Sequence, residues 1–401
     1  MKPLLTLFIV CVIDVLGFGV IVPLIPYMGT RFDASPALIT AILGTHALCQ
    51  LVSAPLWGRL SDRYGRRPIL MYTFAGACVS YAILGFAPNI EWILVSRILG
   101  GLMAGNISAA MAYASDISSE RDRAKALGTV GAAIGIGFML GPAIGGVLAG
   151  EDVATASFLR PALASMALSV LAIALVALRL PESHTAEHRA LAARDAAPRR
   201  APLQLLARIP ALRYVTLAAL LVAIAQAIFE SIFALWALAR FGYGPRTVGL
   251  LLLALSFIPV IMQGGLVRIL VPRFGEYRVA YAGIGAFVVG MLIAALSPGI
   301  GVAVVGLAIC GAGSGAFLPS GSALASKQAS GNNRGSVLGT YQASSSLGRV
   351  IGPFVSGAVF ARFGTGAPLV LGALIAAPAV LGIALSRRHA QAQQAGRDNL
   401  P

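Results

Sequence analysis

Of 401 residues, 58% are apolar and 11% are charged, with a mean hydropathy of +0.84, a composition that excludes a soluble globular chain and marks a membrane one. The net charge of +15 would suggest nucleic acid if it formed one patch, but it is distributed over alternate polar loops, so no nucleic-acid partner is expected. Phosphate-binding loops, metal-spaced clusters and nucleophile–base sets are missing, which argues against ATP drive, a cofactor, a bound metal and an enzyme.

Windows of about 20 residues, the length that crosses the hydrocarbon layer, give twelve apolar segments. They begin near Leu4, Ala37, Ile69, Glu91, Ala124, Phe158, Tyr214, Thr247, Val279, Gly301, Ser336 and Ala367. The expected fold is therefore an all-α polytopic membrane protein of twelve transmembrane helices in two pseudo-symmetric six-helix bundles. The first segment is interrupted by Asp14 and ends near Pro23 and Pro26, so it reads as a retained helix and not as a signal peptide. Asp14 lies about ten residues in, near the midplane at about 1.5 Å per residue.

Between the second and third segments stands GRLSDRYGRRP, Gly58 to Pro68. Gly58 and Gly65 permit a tight turn, and Asp62 presents one acid among Arg59, Arg63, Arg66 and Arg67. In the fourth segment Arg97 shares a helical face with the small residues Gly101, Ala104 and Ser108, at a depth within reach of Asp14. The fifth segment carries a glycine ladder, Gly128, Gly137, Gly141, Pro142, Gly145 and Gly146, whose first four members recur as Gly339, Gly348, Gly352 and Pro353. Ser115, Ser119 and Arg123 likewise recur as Ser326, Ser330 and Arg334, so the chain is an internal duplication. A Pro- and Arg-rich interval divides the copies. The expected domains are a bundle over 1–180, a linker over 181–212, and a second bundle with a short tail over 213–401.

In the second copy, Glu230 in segment seven and Arg349 in segment eleven lie at matching depths, so each half holds one acid and one arginine: Asp14 with Arg97, Glu230 with Arg349. Charges inside a bilayer cost at least about 2.5 kcal/mol each and are rarely kept without use. A carboxylate in a dry cavity takes up a proton and surrenders it when an arginine or water arrives, which is the expected coupling step. Side chains expected to line a substrate cavity are Gln50, Tyr81, Asn106, Phe138, Phe229, Phe233, Trp236, Gln263, Phe317, Tyr341 and Gln342. Aromatic faces with scattered amides suit an amphipathic solute.

Orientation follows from the basic residues. Most of the 30 Lys and Arg lie on one side of the predicted topology, and the opposite loops hold Arg31, Arg160, Arg240, Arg246 and Arg362, so both termini are expected in the cytoplasm. Basic residues are nearly all arginine, the lysines being Lys2, Lys125 and Lys327; this suggests a high-GC bacterium and its inner membrane. The cysteines Cys11, Cys49, Cys78 and Cys310 all fall in apolar segments and are expected as free thiols.

The Gly58–Pro68 loop, Arg97 with Gly101 and Gly105, and the fifth-segment ladder together resemble the signatures of the major facilitator superfamily. Within it, IDVLGFGVIVPLIP (Ile13 to Pro26) and HALCQLVSAP (His46 to Pro55) resemble the twelve-helix drug/proton antiporters of the tetracycline-efflux type. The resemblance implies alternating access, with parallel halves rocking around a central site. It also implies that Asp62 caps the amino terminus of helix eleven in the outward-facing state, and that Arg63 pairs with Asp116 at the foot of helix four. Gly137, Gly141, Pro142, Gly145 and Gly146 would form a state-controlling seam between helices five and eight, and their second copy would pack helix eleven on helix two. Helices three and nine lack the further acids, and helix eight the histidine, of tetracycline-efflux proteins. The implied function is proton-driven export, by a monomer, of an amphipathic drug or metabolite other than tetracycline. Proton-coupled nutrient uptake and a receptor or scaffold role are the alternatives.

Overall fold

The structure, a computed structural model, describes residues 3–183, 202–329 and 333–398; most of the expected linker, 184–201, lies outside them. Twelve long helical segments run Pro3–Arg31 (α1), Pro36–Tyr64 (α2), Arg66–Gly85 (α3), Ile90–Asp116 (α4), Arg123–Ala149 (α5), Leu159–Arg179 (α6), Pro210–Phe241 (α7), Pro245–Phe274 (α8), Glu276–Leu296 (α9), Ile300–Lys327 (α10), Arg334–Phe363 (α11) and Ala367–Gln391 (α12). Among the described residues, 11 of them are both long and apolar enough to cross a membrane. The remaining one, α11, has 30 residues, and Gln342, Ser344, Ser345, Ser346 and Arg349 lower its hydropathy.

Local chemistry sets the boundaries. Ser35 accepts a hydrogen bond from Leu38 N at 3.3 Å and opens α2 ahead of Pro36; Asn89 does the same for α4 through Trp92 N at 3.3 Å. Gly65, at φ +106°, turns α2 directly into α3. Four of the helices are interrupted, α12 among them between Ala376 and Ala379. A 3-10 turn over Val22–Leu24 bends α1 at Pro23. The residues Ala104 and Gly105 break α4, and a π-helical turn over Met262–Leu266 widens α8.

The chain forms two compact units, Met1–Ala197 with Ala237–Leu253, and Pro198–Trp236 with Ala254–Pro401. The end of α7 and the first turns of α8, up to Leu253, thus belong with the first unit. That unit's core joins Leu7, Val10 and Cys11 of α1 to Leu70 and Phe74 of α3, Ala110 and Tyr113 of α4, Val130 and Ala133 of α5, and Ala172 and Val176 of α6. The second unit buries Leu212, Val215 and Ala219 of α7 with Ala280 and Ile284 of α9, Phe317 and Leu324 of α10, Tyr341 of α11 and Ile383 of α12. Large apolar side chains such as Tyr72, Phe86, Leu178, Leu296 and Phe363 stand exposed, the pattern of surfaces solvated by lipid tails.

Candidate functional site

Asp14 projects from the middle of α1, half-buried, and its carboxylate accepts a hydrogen bond from the Asn106 amide. The break in α4 explains how Asn106 reaches it. Trp57 of α2 presses on Gly105, leaving no space for a side chain there. Its indole N–H donates to Leu102 O at 2.6 Å, occupying a carbonyl that the interrupted helix leaves unpaired. Asn106 begins the second piece of α4. Cys11, Asp14, Val15, Phe74, Asn106, Ile107, Ala110, Val130 and Ile134 enclose a small cavity with room for about one water.

Arg97 is fully buried, at 1% exposure. Its guanidinium donates to Ser96 Oγ at 3.1 Å and Ser80 Oγ at 3.4 Å, and Ser80 and Ser96 bond one another's carbonyls at 2.8 Å. His46 Nδ1 lies 3.2 Å from Arg97 O. The direct Asp14–Arg97 pair expected from depth is not formed: Tyr81, buried in α3, stands within electrostatic range of both, and Arg97 Nε has no hydrogen-bond partner. A buried guanidinium without a touching carboxylate is an unbalanced charge, costly unless another state or a ligand supplies the anion.

Two further residues join this group. Phe18, one helical turn beyond Asp14, has its ring 5.1 Å from His46 and edge-on to Phe138 at 5.9 Å. The i, i+4 spacing from Asp14 is the signal that would have found Phe18. Gln50 is half-buried and Phe138 is 46% exposed.

In the second unit Glu230 is exposed and accepts from Gln226 Nε2 at 2.9 Å. Arg349 is close enough to attract Glu230, but it donates to Ser346 Oγ at 3.3 Å, and the two do not form the expected contact pair. Phe229, Phe233 and Trp236 form a continuous stripe with ring centroids 5.4 and 5.9 Å apart; Phe233 and Trp236 are buried, leaving Phe229 as the accessible end. Gln263, in the π turn of α8, and Gln342 are exposed. Phe317 and Tyr341, expected at the cavity, belong instead to the packed core of this unit, because both rings point into the space where Gly321 gives them room.

The Gly58–Pro68 turn forms a relay centred on Arg66. Arg66 is buried and donates to Asp62 Oδ1 at 2.5 Å, Ser61 Oγ at 3.2 Å and Asp116 Oδ2 at 3.0 Å. Asp116 was expected to take Arg63; Arg66, across the Gly65 turn, is a partner the structure gives it. Glu182, in the stretch expected as linker, accepts from Arg66 N at 2.8 Å and Arg67 N at 3.1 Å and so caps α3. Its carboxyl carbon lies 2.7 Å from where a side chain on Gly65 would begin. Arg67 also bonds Ala177 O, Tyr113 OH donates to Pro181 O at 2.8 Å, and Ser183 Oγ lies 3.2 Å from Asp116. Gly58, by contrast, has open space beside it.

The equivalent pair in the second unit is reversed in sign. Glu276 occupies the position of Arg66 and Lys327 that of Asp116, and they form an ion pair at 2.6 Å.

The ladder of α5 divides between two partners, correcting the single α5–α8 seam. Gly137, Gly141 and Gly145 lie backbone to backbone on Val15, Leu16, Gly19 and Val20 of α1, whereas Pro142 and Gly146 meet Gly249, Pro245 and Arg246 of α8. In the second copy, Gly348 and Gly352 lie on Ala223, Ile224 and Ala227 of α7, the counterpart of α1, where α2 was expected. Helical spacing places Gly128, Gly131, Gly135, Phe138, Pro142 and Gly146 on one stripe. Its end nearest the α5–α6 loop is in backbone contact with α8; at the other end Gly128, Gly131 and Gly135 have nothing within 4 Å.

The comparisons agree with this architecture. The chain is 31% identical to the class G tetracycline resistance protein of Vibrio anguillarum, over 85% of this chain and 86% of that one. It is 29% identical to multidrug resistance protein 2 of Bacillus subtilis (strain 168), over 88% and 89%. Among solved structures, a bacterial homologue of the human lysosomal transporter Spinster superposes with a TM-score of 0.80 at 16% identity, over 97% of this chain and 98% of that one. The model of the Major Facilitator Superfamily matches residues 7–300 and 215–399. With paired six-helix repeats, a glycine-laddered α5 and an Arg66-centred turn in place, the chain belongs to the Major Facilitator Superfamily.

Proposed function

We propose that this multi-pass membrane protein is a proton-driven drug efflux transporter, exporting amphipathic compounds by alternating access, as its relatives named for tetracycline and multidrug resistance suggest. It resides in the bacterial plasma membrane with both termini cytoplasmic, and works as a monomer on a small-molecule substrate and protons. Bundles over 1–180 and 213–401 are its moving parts, joined by a linker over 181–212; the internal duplication supports that division.

The observation that carries the reading is a half-buried Asp14 and a fully buried Arg97 at one depth, the arginine touching no carboxylate among the described residues. Asp14 is the proton carrier. While Asn106 serves it, the site is short of positive charge and a proton on Asp14 completes it; movement of α1 toward Arg97 replaces that proton with the guanidinium. Arg97, otherwise uncompensated, gains its counter-ion in the same motion. Glu230 and Arg349 give the second half a more open version of the same couple. Gln50, Phe138, Phe229, Gln263 and Gln342 offer the solute rings and amides, which suit flat or cationic amphiphiles.

Reconstituted protein with an imposed pH gradient tests the reading against a panel of amphipathic compounds. Asp14→Asn is expected to abolish uphill export while leaving downhill exchange; uphill export that persists in Asp14→Asn removes Asp14 from the coupling step.

A further inference from the structure

The first turn of α8 is capped by a different part of the chain, the loop after α5. A helix start leaves its first N–H groups without internal partners, and here each one has an identified place. Pro245 has no N–H. Arg246 N donates to Gly150 O at 3.1 Å, Thr247 N to Glu151 Oε2 at 3.0 Å, and Gly244 N, just before the helix, to Glu151 Oε1 at 3.2 Å. Val248 N returns to the helix's own Gly244 O at 3.1 Å. One carboxylate therefore spans the amino terminus of α8, where the helix dipole also favours negative charge. Gly244 has no space for a side chain because Glu151's backbone lies against it, and Tyr27 of α1 closes the flank by donating to Tyr243 O at 2.9 Å.

We propose that Glu151 is the outer latch of the transport cycle, holding the α7–α8 tip onto α5 and releasing it when the outer side opens. The assignment rests on the alternating-access reading above. Glu151 continues the ladder directly: Pro142 and Gly146 provide the close backbone contact with α8, and Glu151 provides its charged closure. The contact is solvent-accessible, since Glu151 is exposed, so water can replace each bond as the tip lifts. That makes the latch weak enough to cycle. Asp152, next in sequence, accepts instead from its own loop, from Ala154 N and Thr155 Oγ1.

Thiol labelling tests the latch without substrate or proton gradient, so its failure is separable from failure of antiport, which Asp14→Asn reads. Cys11, Cys49, Cys78 and Cys310 are replaced by Ala. Val248→Cys then reports the outer contact, where Val248 is fully buried, and Gly131→Cys reports the open inner stripe. A membrane-impermeant maleimide is applied to oriented vesicles from each side. Glu151→Gln is expected to raise outer labelling of residue 248 by about two- to fivefold, the range for a carboxylate at an exposed helix start, and to lower inner labelling of residue 131. Glu151→Asp, which reaches one donor at a time, gives an intermediate rate, and Asp152→Asn changes neither. Unchanged labelling of residue 248 in Glu151→Gln, or increases at both residues, overturns the proposal.

Discussion

Gly141→Ala adds one methyl group where α1 and α5 touch. The new Cβ would stand 2.6 Å from Gly19 C, 2.7 Å from Gly19 Cα and 2.9 Å from Val20 N. All three are backbone atoms, so no side chain can rotate aside, and reaching ordinary contact at 3.4 Å requires the helices to part by about 0.8 Å. Overpacking of this kind costs about 1–3 kcal/mol, and in lipid no hydrophobic force draws the separated helices back together. Gly19 lies five residues from Asp14, about 7.5 Å along α1, so the shift also displaces Asp14 from Asn106. Gly131→Ala on the same helix is the matched control, because nothing lies within 4 Å of that position; removing a helical glycine there is worth up to about 1 kcal/mol in the opposite direction. Thermal unfolding in detergent, followed by size-exclusion fluorescence, should show Gly141→Ala melting below wild type and Gly131→Ala at or above it, with transport lost only in the former. Equal stability and equal transport in the two variants would refute the backbone-contact argument.

Two further outcomes follow from contacts at the edges of the site. Trp57→Phe keeps the packing on Gly105 but removes the bond to Leu102 O, and is expected to cost about 1 kcal/mol and to broaden the position of Asn106; melting curves and a distance measurement between labels on α1 and the second piece of α4 check both. For the Glu276–Lys327 pair, either single charge reversal should lower stability by up to about 1 kcal/mol, the range for an accessible pair. The exchange Glu276→Lys with Lys327→Glu should restore it in a double-mutant cycle, and a coupling energy of zero would mark the pair as incidental.

The helical spans were legible because burial in lipid demands long apolar runs, and the ladder because glycine spacing survives in both copies. Angular position around a helix was not. Asp14 and Arg97 match in depth, yet Asp14 turns to Asn106 and Arg97 to Ser80 and Ser96, which depth alone does not reveal. Arg63 and Arg66 flank one glycine turn, and only the folded turn shows Arg66 buried between Asp62 and Asp116. Glu182 was hidden by composition: a polar, proline-rich stretch resembles a linker even where its first residues cap α3. Phe317 and Tyr341 illustrate a related ambiguity, since an aromatic in an apolar helix has the same sequence signature whether it faces a cavity or a core. The break at Gly105 needed a partner 48 residues away, Trp57, to become visible.

The opposite polarity of the two equivalent pairs, Arg66 with Asp116 and Glu276 with Lys327, bears on how the gene can change. Halves that began as copies could once exchange segments by recombination and remain compatible. With the signs reversed, a crossover falling between the two partners of a pair would leave Arg66 facing a lysine in one product and Glu276 facing an aspartate in the other. Each hybrid would carry a like-charge contact at the turn its half depends on. The inversion therefore gives each repeat its own pairing rule at this turn, so that the two halves are not interchangeable there.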